Sequence, residues 1–134
     1  MVIVILAALG AAAVPAAAQA RTYYPDCSAD QQYKPSTVVA FCGDGGVVLR
    51  KMSWYRWGAT EARGRTGSAF ANSCKPSCAQ GKFHRYHARL VLYRARTCST
   101  NGRMVFTRMA VIWTGSRPAS LRNFTQKLFC RPLG

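Results

Sequence analysis

Four residues of the kind that bind metals or move protons, Cys74, Cys78, His84 and His87, fall within fourteen positions of one another. Two thiolates and two imidazoles form a ligand set suited to tetrahedral zinc. A second chemistry is a small secreted nuclease, with Glu61 as carboxylate base, His84 as imidazole acid and Arg63 or Arg85 on the phosphate. A third is protease inhibition, because Lys75 precedes Pro76 in a cysteine-bounded loop and could be presented to a trypsin-like enzyme. The first two meet one objection. The segment after Gly81 reads as a strand, and residues three apart on a strand point to opposite faces, so His84 and His87 are expected to part. No spacing ties Glu61 to His84, and hydrolase nucleophile motifs, phosphate-cradling glycine loops and paired carboxylates are absent from the sequence. The sequence therefore favours a protein that is not an enzyme, with no catalytic residues, metal or cofactor assigned.

The elements that must position these residues begin after an apolar run, Val2 to Ala18, which ends in the small-x-small triplet Ala18-Gln19-Ala20. That pattern reads as a secretory signal over residues 1–20, removed after Ala20; only Met1 precedes the run, so the usual basic flank is missing. Residues 21–134 then form a single domain. A chain of that size buries a core with little margin. In an oxidising compartment its six cysteines, Cys27, Cys42, Cys74, Cys78, Cys98 and Cys130, are most simply three disulfides. Each would contribute about 2 to 4 kcal/mol. Pairing Cys74 with Cys78 demands a tight turn, so each is expected to staple a different strand. The expected bridges are Cys42–Cys74, Cys78–Cys98 and Cys27–Cys130, the last tying the two ends together.

Hydrophobic alternation makes the domain all-β. Residues 21–35 read as an aperiodic N-terminal arm pinned by Cys27. Thr37 to Cys42 is a short strand stopped by the turn Gly43-Asp-Gly-Gly46. Val47 to Trp57 is one strand in which a bulge near Ser53 lets Trp54 and Trp57 both reach the core. Glu61 to Gly67 reads as a turn and Ser68 to Ala71 as a short strand. Phe83 to Arg96 is the longest strand, with Tyr86, Ala88, Leu90 and Leu92 on one face and Arg85, His87, Arg89, Val91 and Tyr93 on the other. Asn101-Gly102 turns it into a second strand, Met104 to Thr114. In the C-terminal extension, residues 116–134, Leu121, Phe124 and Leu128 have helical spacing, and a short helix is favoured over a strand. The expected architecture is a small disulfide-stapled sandwich or barrel of about five to seven strands.

Several of these residues form a recognisable set: Met52-Ser-Trp54, Trp57-Gly58, Cys74-x-Pro-x-Cys78-Ala-x-Gly81-x-Phe83, and Arg103 with Phe106-Thr-Arg108. Over about Val38 to Gly115 this pattern resembles small uncharacterised secreted proteins of actinobacteria. The resemblance implies export, an all-β domain and disulfides, and it implies no reaction.

Charge is the strongest compositional signal. Nineteen Lys and Arg stand against four acids, Asp26, Asp30, Asp44 and Glu61, for a formal charge of +15. All of them follow Ala20, and arginine, with its planar fork for phosphate or carboxylate, supplies fourteen of the nineteen. An excess of this size attracts polyanions without naming one. The expected protein is a monomeric, exported, basic module at the cell envelope or outside it. Its partners would be anionic polymers: nucleic acid, wall polymer or lipid head groups. The face Arg85, His87, Arg89 and Tyr93 is the expected binding surface.

Overall fold

A computed structural model of the chain describes residues 10, 12, 13 and 20–130. Apart from 10, 12, 13 and 20, the expected secretory signal lies outside the described residues, as do positions 131–134. The described chain is all-β. Its nine strands are β1 (Thr22–Pro25), β2 (Gln31–Gln32), β3 (Val38–Ala40), β4 (Val47–Arg50), β5 (Ser53–Trp57), β6 (Ala62–Asn72), β7 (Phe83–Thr97), β8 (Met104–Thr114) and β9 (Phe124–Lys127).

The β7–β8 hairpin is the spine. Its antiparallel register runs from His87 opposite Thr114 to Thr97 opposite Met104. The expected Asn101-Gly102 turn closes it, with Gly102 at φ +71° and its N–H donating to the Cys98 carbonyl at 2.8 Å. β6 pairs the other side of β7, and β4 and β5 follow one another along the outer edge of β6. β1 and β9 share the far edge of β8, with β1 parallel to it. The sheet curls into a half-barrel. Side-chain bonds draw its edges together: Trp57 Nε1 donates to the Thr22 carbonyl at 2.9 Å, and the Phe41 N–H donates to Gln126 Oε1 at 3.0 Å.

Inside the curl, Leu90 and Leu92 from β7 meet Met109, Val111 and Trp113 from β8, Leu49 from β4 and Phe106. Fully burying one such side chain contributes about 1.5 to 3 kcal/mol. The alternation in β8 breaks at its start, where Phe106 joins the core and Thr107 instead donates its hydroxyl to the Arg94 carbonyl at 2.6 Å. Arg94 has φ +54° within β7, and the register with β8 is kept on either side of it.

Five expectations are corrected by this arrangement. Val47 to Trp57 is not one strand: the chain breaks at Lys51, where φ is +51°, into β4 and β5. Residues 61–71 are not a turn followed by a short strand: β6 runs for eleven residues, with a register irregularity between Thr66 and Ala69. Gly64 and Gly67 punctuate it because other groups lie on them. A Cβ at Gly64 would stand 2.7 Å from Trp54 Cε3, and one at Gly67 would stand 3.0 Å from the His87 ring. Glycine inside a strand marks such close approach. The N-terminal arm is folded into the sheet as β1 and β2, with Tyr24 buried to 1% exposure. The C-terminal segment forms β9 rather than a helix, because Phe124 and Gln126 pair with Val111 and Met109 and the edge of β8 is otherwise open there.

The disulfides are the fifth correction. They join Cys27 to Cys42, Cys74 to Cys78 and Cys98 to Cys130. Cys78 precedes the fifteen-residue β7 and Cys98 follows it. At about 3.3 Å per residue the strand holds those two thiols roughly 50 Å apart. Cys74 and Cys78 instead close the β6–β7 loop with their Cα atoms 3.7 Å apart. Cys130 reaches Cys98 because β9 carries the chain back along β8.

Candidate polyanion-binding face

The outward residues of β5, β6 and β7 build one cationic surface. On β6 the inward positions Ala62, Gly64 and Thr66 are buried, so Arg63 and Arg65 point out. On β7 the burial of Ala88, Leu90 and Leu92 turns Arg85, His87 and Arg89 to the same outer face. β5 adds to it through a bulge between Trp54 and Arg56. Trp54 and Trp57 both pack inward, with rings 4.7 Å apart, while Tyr55 and Arg56 both face solvent. The expected bulge is present, with its extra residue at Tyr55, two positions beyond Ser53.

The pairing register places like charges opposite each other. Arg65 faces Arg89 directly across the β6–β7 ladder, and Arg56 faces Arg63 across β5–β6. Directly opposed like charges destabilise a sheet. Among the described residues, no carboxylate relieves the Arg65–Arg89 pair. Asp26 accepts the N–H groups of Ser28 and Asp30 and the amide of Gln32, and Asp44 accepts the N–H of Gly46. Glu61 accepts from Arg63 Nε, the one salt bridge among the described residues.

At the centre of this face lies a cleft of about 460 Å³ lined by Lys51, Ser53, Arg65, Thr66, Gly67, His87, Ala88, Arg89 and Thr114. Lys51 enters it from the break between β4 and β5, where φ is +51°. The bare Cα of Gly67 lets the imidazole of His87 lie in the floor. Arg85 Nε donates to the Gly67 carbonyl at 2.7 Å, which anchors a further guanidinium at the rim. Cations and hydroxyls line the cleft and no carboxylate does. Such a lining takes an oxyanion by charge-assisted hydrogen bonds.

Of the four expected binding residues, three converge. Arg85, His87 and Arg89 are at the cleft, whereas Tyr93 lies four positions beyond Arg89, about 13 Å along the strand, and pairs with Arg108. Lys51 and Arg65 were not singled out from sequence as binding residues, whereas Tyr55 lies in Trp54-Tyr-Arg-Trp57, whose aromatic and basic interleaving resembles stacking surfaces for single-stranded nucleic acid or sugars. The signal for Arg65 was the Arg-x-Arg alternation of residues 63–65, hidden under the reading of that stretch as a turn.

The other constellations come apart. His84 pairs with Ala71 and belongs to the face opposite His87. The thiols of Cys74 and Cys78 are bridged, so the zinc set loses its sulfur ligands. Glu61 lies ten positions from Ala71, the partner of His84, which is about 33 Å along β6. The nuclease set of Glu61, His84 and Arg85 therefore does not assemble. Lys75 is exposed in its disulfide-closed loop, braced by Asn72 Nδ2 donating to the Cys78 carbonyl at 2.8 Å.

Comparison with family models, with curated proteins and with solved structures finds no match to this chain. The reading of the face therefore rests on its own chemistry. A second cationic and aromatic surface lies at the sheet's β1–β2 edge, where Arg21 stacks over Tyr33 at 4.8 Å and Arg103 over Tyr23 at 5.2 Å.

Proposed function

We propose that this chain is an exported, non-enzymatic basic module that associates through the outer face of β5, β6 and β7 with anionic polymers at the cell envelope or outside it. The carrying observation is the juxtaposition of Arg65 and Arg89 across a ladder with no carboxylate in the cleft they line. A fold that spends stability to hold like charges together gains it back when a polyanion neutralises them. Three disulfides support function in an oxidising compartment, as does the resemblance to secreted actinobacterial proteins. Wall polymers, anionic lipid head groups and extracellular nucleic acid all present the required charge, and the module acts as a monomer.

The test is chromatography on immobilised heparin and on DNA. Retention at low salt that is lost as salt rises supports the proposal, and the Arg65→Ser/Arg89→Ser variant elutes earlier. Absence of retention at low salt, or retention indifferent to salt, contradicts it.

A second reading rests on the braced and exposed Lys75, which could occupy the specificity pocket of a trypsin-like protease. Inhibition of trypsin by the wild type and its loss in Lys75→Ala would favour that role.

A further inference from the structure

The cleft has a neighbour that charge alone does not explain. Tyr55 stands 55% exposed on the same face, and Arg65, which lines the cleft, places its guanidinium 6.0 Å from the Tyr55 ring centroid. The bulge in β5 is what turns this ring outward, since the neighbouring Trp54 is directed inward and donates Nε1 to the Pro35 carbonyl at 2.8 Å. The sheet thus sets a rigid aromatic ring beside a cluster of oxyanion donors, with Arg65 shared between them. A phosphate group alone has no use for the ring. A phosphodiester strand with unpaired bases uses both: a phosphate among the cations and the adjoining base on the aromatic face. The size agrees, because about 460 Å³ lies within the range of pockets that hold a small organic unit as well as an ion.

We infer that the Lys51–Arg65–His87–Arg89 cleft and Tyr55 form a subsite for single-stranded nucleic acid, in which a backbone phosphate enters the cleft and a base stacks on Tyr55. This rests on the proposed polyanion-binding role of the face and narrows it to one polymer. Duplex ends offer the same phosphates with their bases already stacked on one another, so the ring adds nothing to them. Polyol-phosphate and lipid surfaces have no base to place there.

Fluorescence anisotropy with a labelled oligothymidylate, and with an abasic oligonucleotide of equal length and backbone charge, separates ring from charge. The wild type binds the oligothymidylate about tenfold more tightly, the scale of one stacked base. Tyr55→Leu brings the two affinities together by weakening only the first, and Tyr55→Trp restores the difference. Equal binding of both oligonucleotides by the wild type, with heparin retention intact, overturns the inference and leaves the proposed function standing. Equal losses on both probes in Tyr55→Leu overturn it as well. No binding to either oligonucleotide or to heparin at low salt overturns both readings.

Discussion

Arg65 on β6 and Arg89 on β7 are cross-strand partners, two arginines directly opposed in the register of the longest part of the sheet. Neither forms a salt bridge among the described residues. On the proposed function, the pair trades stability for binding. Replacing Arg89 by threonine, a good strand former, is expected to stabilise the fold by about 0.2 to 1 kcal/mol while moving elution from heparin to lower salt. Urea unfolding and heparin chromatography on the same variant check both directions. A loss of stability with unchanged elution would show that the pair serves the fold instead.

The two glycines of β6 are expected to respond differently to alanine. At Gly64 the new methyl meets Trp54 Cε3 at 2.7 Å and Met52 Cε at 2.8 Å within the half-barrel. Overpacking of that kind costs about 1 to 3 kcal/mol. At Gly67 the methyl meets only the exposed imidazole of His87, which can swing away. Gly67→Ala should therefore retain most of the stability and lose affinity for polyanions as the cleft floor is rebuilt. Equal destabilisation in the two variants would contradict this account of why the glycines are there.

Much of the fold was legible from alternation. Ala88, Leu90 and Leu92 marked the buried side of β7, and Asn101-Gly102 marked its turn, because a half-buried antiparallel strand writes its period directly into the sequence. Gly64 and Gly67 misled because glycine signals a turn and a close approach with the same letter; only the positions of Trp54 and His87 distinguish them. The helical spacing of Leu121, Phe124 and Leu128 misled for another reason: the open edge of β8 supplies the partners, a non-local fact. The candidate site was half legible. Arg85, His87 and Arg89 lie on one strand and share a parity, whereas Lys51, Tyr55 and Arg65 come from separate strands and a strand break, joined only by register.

Disulfide mapping under non-reducing conditions should return Cys27–Cys42, Cys74–Cys78 and Cys98–Cys130. Removing Cys98–Cys130, which spans 32 positions, is expected to destabilise the protein by about 2 kcal/mol more than removing Cys74–Cys78, which spans 4, from loop entropy alone. Paired serine variants compared by thermal unfolding measure the difference. Equal losses would mean that the small loop contributes through its own packing.

Burial, with a further contribution from the charge of Asp26, raises the Tyr24 phenol to about 12. The folded state thus holds this proton where the unfolded chain, titrating near 10, releases it. The associated stability is complete below about pH 10 and is lost as pH rises through about 12. Tyr24→Phe removes the ionisation, and its stability should fall less steeply over that interval than that of the wild type. Parallel curves for the two proteins would place the alkaline loss elsewhere.

The central claim is that the outer face neutralises the charges of a polyanion through Arg65 and Arg89. Its most direct test is the slope of the logarithm of the binding constant for a short oligonucleotide against the logarithm of salt concentration, in the wild type and in Arg65→Ser/Arg89→Ser. A steep linear fall in the wild type is predicted, with a slope shallower by about 2 in the double variant, one for each phosphate contact removed. The same slope in both proteins would contradict the account.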